Sequence, residues 1–460
     1  MLRKIRILLA AIVIVSVTML FIGIGGWHKW AGWLAHVQFL PAVLALNVVV
    51  VVVLLLLTLL FGRWYCSVLC PLGVMQDVVS SVYELNKKRR FRFGFSGAKN
   101  WLRYGVLAVF VVSLLAGLNI VYAVLSPYSS YGRIVSQFTR FDSMPVLITA
   151  IITFIILLLL VWRGGRTYCN TICPVGTVLG LFSRFSLYRV RINSEKCVGC
   201  GVCAKRCKSS CIDAVHHHID ASRCVDCMNC ISACGHRAIS YSLKKSKPTN
   251  GPSDPSRRRF FAATAAVTAT ALVSMREKHI DRPKSKIVGK NTYEIRTRPL
   301  PPGAISFNHL SQHCTACQLC ISQCPNHVLR PSASLSSLMQ PEMHFDKGYC
   351  HPRCTRCTSV CPTNAISKIS KSEKPSIKIG KAVWVPGNCF QLDDKLCGAC
   401  AGACPYGAIE MMPYDVDDAE SPTVPKVDAT KCVGCGACEY ACPAFPKAIC
   451  VEGYSLHIKS

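Results

Sequence analysis

One short cysteine spacing recurs six times in this chain, and it leaves few folds open. Cys197, Cys200, Cys203 and Cys207 stand as C-x2-C-x2-C-x3-C, and Cys224, Cys227, Cys230 and Cys234 repeat the spacing. Cys314, Cys317, Cys320 and Cys324 do the same and are followed by Pro325. Cys350, Cys354, Cys357 and Cys361, then Pro362, widen the first gap. Cys389, Cys397, Cys400 and Cys404, then Pro405, widen it further, and Cys432, Cys435, Cys438 and Cys442, then Pro443, restore it. Three cysteines two residues apart wrap a tight loop around one face of a cubane, while the fourth turns away and ligates the other cluster of a pair. A proline after it ends the wrapping and supplies no competing N–H. Secreted disulfide domains are small and irregularly spaced, and zinc ribbons use two-cysteine knuckles. The pattern therefore predicts about six [4Fe–4S] clusters with these cysteines as iron ligands.

Crossed ligation assigns the sets. Cys197, Cys200, Cys203 and Cys234 hold one cluster, and Cys207, Cys224, Cys227 and Cys230 its neighbour. Cys314, Cys317, Cys320 and Cys361 pair with Cys324, Cys350, Cys354 and Cys357. Cys389, Cys397, Cys400 and Cys442 pair with Cys404, Cys432, Cys435 and Cys438. Cys211 is expected to be a small packed residue, and Cys450 belongs to no motif. Segments this short bury little apolar surface, so the clusters must supply much of the folding free energy. Short strands flanking the motifs, as at Tyr188–Ile192 and Ala408–Met412, suggest small α+β folds. Lys208 and Gly235 stand where the other four motifs have proline, so the first pair is expected to be more solvent-open or to differ in potential.

The N-terminal part is of another kind. Residues 7–27, 37–61, 105–125 and 143–162 lack formal charge, and each is as long as the ~20 residues needed to cross a hydrocarbon core. Lys/Arg bias orients them. Arg3, Lys4 and Arg6 precede the first run; Arg63, Lys87, Lys88, Arg89, Arg90, Arg92, Lys99 and Arg103 follow the second; Arg163, Arg166, Arg184, Arg189 and Arg191 follow the fourth. The alternate loops hold only Lys29, then Arg133 and Arg140. Both ends of the four-helix unit are thus expected in the cytoplasm.

This unit is an internal repeat. Gly62-Arg63-Trp64-Tyr65-Cys66 matches Gly165-Arg166-Thr167-Tyr168-Cys169, and Cys70-Pro71-Leu72-Gly73 matches Cys173-Pro174-Val175-Gly176. Each hairpin ends in G-R-x-Y-C-x-x-x-C-P-x-G. If the hairpins pack side by side, Cys66, Cys70, Cys169 and Cys173 meet at the membrane edge, as redox or metal thiols that share a metal or undergo thiol exchange.

The chain is 51% hydrophobic and 17% charged, which excludes disorder over most of its length. Its net charge of +29 has no isolated basic domain behind it. Residues 1–275 carry 31 Lys/Arg against 8 Asp/Glu, so the excess sits with the apolar runs as a topology signal and not as a nucleic-acid footprint. Six four-thiolate clusters at about −2 each offset much of it. Residues 244–259 read as a polar linker. Within it Ser256-Arg257-Arg258-Arg259-Phe260-Phe261, then an uncharged stretch to Met275, looks like an internal twin-arginine export signal, or a fifth membrane segment. No G-x-G-x-x-G nucleotide fingerprint in the required strand-to-helix setting and no C-x-x-C-H haem motif occurs.

The hairpins together with the first motif pair resemble NapH-type membrane polyferredoxins. The part from Ser256 onward resembles the NapG/MauM type, a twin-arginine signal followed by four cluster motifs. The resemblance implies two partner proteins fused into one chain that passes electrons from quinol toward a periplasmic reductase. The expected organisation is a helical membrane domain of four spans (1–187), a cytoplasmic two-cluster ferredoxin (188–245), a linker with the export signal (246–305), and two further two-cluster ferredoxins (306–372 and 380–460), with residues 276–460 expected in the periplasm. The chain then acts as an electron-transfer subunit and not as a stand-alone enzyme. The alternative is an assembly or redox-maintenance factor for a metalloenzyme, working through the C-x-x-x-C-P thiols.

Overall fold

Two of the four apolar runs fold as uninterrupted helices long and apolar enough to cross a membrane, Leu2–Ile22 (α1) and Met144–Gly164 (α6), in the computed structural model of the chain. The other two runs break. Leu46 takes a left-handed backbone, and the Asn47 side chain accepts from the Val50 N–H at 3.3 Å, so the second run divides into Phe39–Leu44 and Val48–Phe61 (α2). Gly117, at φ +70°, ends Asn100–Leu115 (α4) before Asn119–Leu125 begins. Hydropathy sums over such breaks, which is why it reads both as continuous. The flanks of α1, α2, α4 and α6 leave Leu8, Ile12, Val49, Val112, Ile148 and Leu159 exposed, an apolar belt left uncovered among the described residues.

The structure describes residues 2–24, 26–84, 93–117, 119–139, 143–243, 297–334, 337–393, 396–415 and 421–459. The export-signal-like segment at 256–275 lies outside them. Among the described residues, those of 1–242 and 293–460 form one unit.

Between the third and fourth runs, where two loop cations are expected, stands Pro127–Thr139 (α5). It is polar yet buried, with Ser129, Ser130, Arg133, Ser136 and Gln137 all inside. Arg133 Nη1 donates to the Ala123 carbonyl at 2.7 Å and Nη2 to Ser130 Oγ at 3.2 Å. Each C-x-x-x-C-P turn then opens a helix whose first residue is the proline, Pro71–Glu84 (α3) and Pro174–Ser183 (α7). Proline fits there because the first helical N–H has no partner within the helix.

The cysteine-rich parts are built from two-stranded sheets. Tyr188–Ile192 (β1) pairs with Ile239–Leu243 (β4), and Ile212–Asp213 (β2) with His218–Ile219 (β3). In residues 297–459, Leu329–Pro331 (β5) pairs with Pro341–Met343 (β6), and Ile409–Pro413 (β8) with Thr423–Val427 (β9). Ile377–Trp384 (β7) crosses to Ile449–Lys459 (β10), and one apolar core takes residues from all four of the later motifs.

These parts dock at opposite ends of α1. Arg3 Nε donates to Asn229 Oδ1 at 3.1 Å, while Gln323 Nε2 donates to the Leu20 carbonyl at 2.6 Å. Seventeen residues of helix separate the two contacts, about 26 Å at 1.5 Å per residue. At the first end Asp77 of α3 collects three buried cations: Arg166 at 2.8 Å, Arg6 at 3.1 Å and Lys208 at 3.9 Å. Burial pushes its carboxyl up, but Arg166, then Lys208 and Arg6, outweigh this and hold it well below the usual carboxylate range. Asp77→Asn leaves three buried cations without a carboxylate. The expected cost is about 3–5 kcal/mol, read as a lowered thermal midpoint of the detergent-solubilised protein. An unchanged midpoint would mean that this node does not hold the first ferredoxin on the helices.

Candidate metal centres

The cysteine loops converge because the backbone turns twice through the left-handed region. Gly199 and Gly201, Asp226 and Met228, Ala316 and Gln318, and Gly434 and Gly436 flank the second cysteine of four motifs, all at positive φ. Glycine takes this backbone freely, while the other four residues carry strain that the surrounding thiols must repay in ligation.

Five cavities of about 300–370 Å³ result, each lined by at least four thiols drawn from both motifs of a pair. Cys197, Cys200, Cys203 and Cys234 line one, and Cys207, Cys224, Cys227 and Cys230 the next. Cys324 joins Cys350, Cys354 and Cys357; Cys404 joins Cys432, Cys435 and Cys438; Cys442 joins Cys389, Cys397 and Cys400. Cys314, Cys317, Cys320 and Cys361 lie within electrostatic reach of one another. Among the described residues no three of His, Cys, Asp or Glu close on a single metal ion. The donor sets are all-sulfur and too open for one ion, which fits cubanes. Backbone N–H groups point at the outlying thiols: Ala238 at Cys234, Ala408 at Cys404 and Ile366 at Cys361, at 3.3–3.4 Å. Such donors stabilise a thiolate.

Two residues here escape motif reading. Lys374, buried, places Nζ 3.2 Å from Cys350 Sγ and 2.7 Å from the His351 carbonyl. Its charge favours the reduced, more negative state of that centre. Cys211 lines the Cys207 cavity, with its Sγ 3.5 Å from that of Cys207. It is a fifth thiol at one centre and not merely a small packed residue. Only its spacing, four residues past Cys207, gives any hint of this in the sequence.

The membrane thiols do come together. Cys66, Cys70, Cys169 and Cys173 share one apolar core and are each 4–5% exposed. Cys70 and Cys173 each feel the charge of Cys66 or Cys169 and of the other's motif. The two repeats clasp each other across this group. Arg63 Nη2 donates to the Cys169 carbonyl at 3.1 Å, and Arg166 Nη1 to the Cys66 carbonyl at 2.5 Å. The last glycine of each motif makes room for the other's arginine. A Cβ at Gly73 would stand 3.1 Å from Arg166 Nη1, and one at Gly176 2.8 Å from Arg63 Nη2.

Comparison with known proteins agrees with this chemistry. A 4Fe–4S binding domain family matches residues 43–95 and 146–193, over both thiol hairpins, and 4Fe–4S dicluster domain families match 220–328, 313–365 and 395–445. The methylamine utilization ferredoxin-type protein MauM of Methylophilus methylotrophus is 30% identical over 156 residues, 32% of this chain and 68% of MauM. The chain belongs to the ferredoxin-type proteins. It carries several [4Fe–4S] clusters. The ferredoxin-type protein NapG of Escherichia coli is 28% identical over 46% of the chain and 90% of NapG. The electron transport protein YccM of the same organism is 29% identical over 48% of the chain and 64% of YccM, so the match spans less than two thirds of that relative. No solved structure matches the chain.

In this ferredoxin-type protein, Cys442→Ser should perturb the centre lined by Cys389, Cys397 and Cys400 and spare the one lined by Cys432, Cys435 and Cys438. Cys207→Ser should keep its centre, with Cys211 as the replacement ligand, whereas Cys207→Ser with Cys211→Ser should lose it. Paramagnetic resonance of the reduced protein reads both; equal loss in the single and double variants would deny Cys211 a ligand role.

Proposed function

We propose that this ferredoxin-type protein conducts electrons across a cytoplasmic membrane, from quinol to a periplasmic reductase, through six [4Fe–4S] clusters held by the crossed cysteine sets. It joins in one chain what the NapH-type and NapG/MauM-type proteins divide. The four apolar runs, broken or not, form the spanning bundle, residues 188–243 stand in the cytoplasm, and the part after residue 276 follows the twin-arginine-like signal outward. The observation that carries this is the docking of the two ferredoxin parts at opposite ends of one apolar helix, at Arg3 and at Leu20. The belt of exposed aliphatic side chains between them supports a lipid surround. One relative, YccM, is named an electron transport protein.

The order of centres favours conduction over storage. The Cys350 N–H donates to the Cys435 carbonyl at 2.9 Å, so the centre that Cys350 lines adjoins the one that Cys435 lines. An assembly factor exchanging disulfides with a client needs reachable thiols, and the hairpin cysteines, at 4–5% exposure, are not reachable.

Proteoliposomes with ferricyanide trapped inside and a quinol supplied outside test the proposal. Trapped ferricyanide should bleach only where the holoprotein is present. Bleaching no faster than in empty vesicles would reject a transmembrane conduit. Arg257→Lys with Arg258→Lys should protect a tag at Ser460 from protease added to spheroplasts, which digests it in the wild type. Protection in both would put every centre on the cytoplasmic side.

A further inference from the structure

The two most exposed large apolar side chains among the described residues stand beside one centre. Leu396 is 100% exposed and Phe445 97%. Leu396 precedes Cys397, and Phe445 follows Cys442 by three residues. Cys397 and Cys442 line one cavity with Cys389 and Cys400, and its other walls, among them Trp384, Phe390 and Pro443, carry no charged side chain. The exposure is built and not loose. Lys447 Nζ donates to the Cys442 carbonyl, Asn388 Nδ2 to the Lys447 carbonyl at 3.2 Å, and the Val385 N–H to the Ala448 carbonyl at 2.7 Å. The loop is pinned while the Phe445 ring faces water, and Pro443 and Pro446 on either side of it are exposed too. A ring held this way forgoes the burial that aromatic side chains ordinarily gain on folding.

This centre also ends a run. The helices touch the later ferredoxins at Cys317, whose carbonyl lies against Gly132 of α5, and at Gln318, which accepts from Ser136 Oγ at 3.0 Å. The centre that Cys350 lines adjoins the one that Cys435 lines. That one shares its two motifs, through Cys404 and Cys442, with the centre beside Leu396 and Phe445. The outer centre of the first ferredoxin opens to water as well, but through Cys200 itself and beside the exposed Glu195 and Lys196.

Size and charge say what covers the face. An aromatic ring buries roughly 150–250 Å². A face built on one ring, one leucine and two prolines therefore falls well short of the about 2,000 Å² of a permanent interface and fits the small, transient encounters of redox proteins. From Leu396 to Pro425 the chain has Glu410, Asp415, Asp417, Asp418 and Glu420 and no Lys or Arg, in a protein of net charge +29. Glu410 meets Lys431 at 3.6 Å, so the acidic excess runs from Asp415 onward. Tyr414, next to the exposed Asp415, sets its ring 6.2 Å from that of Trp384, which lines the centre. Lys447 is turned inward, and Lys381 of β7 stands opposite Glu452.

We propose that Leu396 and Phe445 are the docking face through which this centre passes electrons to a small redox protein whose cofactor edge is ringed by Lys and Arg. The inference rests on the electron-transfer reading above and names its exit. One electron leaves the centre, whose iron is oxidised, and reduces the partner's cofactor. No bond forms or breaks and no proton moves.

Zinc-substituted cytochrome c, which is ringed by lysines, fluoresces and takes no electron, is the binding probe for the full chain in detergent. Its fluorescence anisotropy should rise on mixing, less so as salt is raised, and hardly at all once its lysines are acetylated. Leu396→Ser with Phe445→Ser should weaken binding about tenfold. The same pair should slow reduction of ordinary cytochrome c by the dithionite-reduced chain to match. Phe445→Leu should keep most of both, Val198→Ser should change neither, and paramagnetic resonance of every variant should match the wild type. A probe that does not bind, equal binding after acetylation, equal binding by the double variant, or loss in Val198→Ser overturns the proposal. The wild-type salt and acetylation series decides by itself where the double variant does not fold. A wild-type dimer in native mass spectrometry that the double variant dissolves gives the face to a second copy and overturns it too. Absent ferricyanide bleaching with intact probe binding removes the conduit and leaves the docking face. Intact bleaching without probe binding does the reverse.

Discussion

Two buried arginines hold the molecule together. Arg63 and Arg166 occupy the same position in two copies of one motif, and each reaches across to the cysteine carbonyl of the other copy. The other fixed residues of the motif fit around that exchange. The leading glycines take positive φ and leave space for a loop from the first ferredoxin. The prolines begin helices. The closing glycines leave room for the opposite guanidinium. The two tyrosines extend the other way: Tyr65 donates to Gln38 Oε1, and Tyr168 to the Leu125 carbonyl. A single Arg→Lys change would not conserve this, because lysine has no planar fork with which to bridge two acceptors.

The departure of the first ferredoxin from the proline rule has the same origin. Proline at position 208 would supply no cation. Lys208 instead runs under the loop to Asp77, where Nζ also donates to Ser81 Oγ at 3.2 Å, and its carbonyl accepts from the Arg166 N–H at 2.8 Å. The residue that replaces the proline is therefore a docking residue. At Lys208 the departure marks attachment to the helices, while Gly235 is exposed and Cys200 is the exposed cysteine among the described residues, so the first pair is also the more solvent-open. Asp226, pushed up to about 7 by burial, meets Gly62 in the corresponding place on the other repeat.

Much of the site was legible because cluster ligation is a matter of spacing, and spacing survives in one dimension. The repeated cysteine motifs, the thiol hairpins and the flanking strand Tyr188–Ile192 all follow from short-range pattern. What escaped is three-dimensional. Arg63, Arg103, Arg133 and Arg166 count as loop charges in a topology sum, yet all four are fully buried. A sum over Lys and Arg cannot tell a cation facing water from one facing a carbonyl. Polar α5 reads as a loop because nothing in its own composition shows that helices on one side and a ferredoxin on the other will cover it. Lys374 sits 24 residues from the thiol it touches, beyond the reach of any motif.

The surplus of buried cations at the junction gives a reason why cofactors and fold should form together. Arg6, Arg63, Arg103, Arg166 and Lys208 are all buried around the first ferredoxin's inner centre and the hairpin thiols. The carboxylates in contact with this group are few, with Asp77 shared by three of the five. In an apo chain the thiols are neutral, so closing the junction would desolvate five cations against fewer carboxylates. Cluster insertion deprotonates the thiols and adds negative charge where those cations point. The charge that makes the apo junction costly thus stabilises the loaded one, and docking becomes conditional on metal.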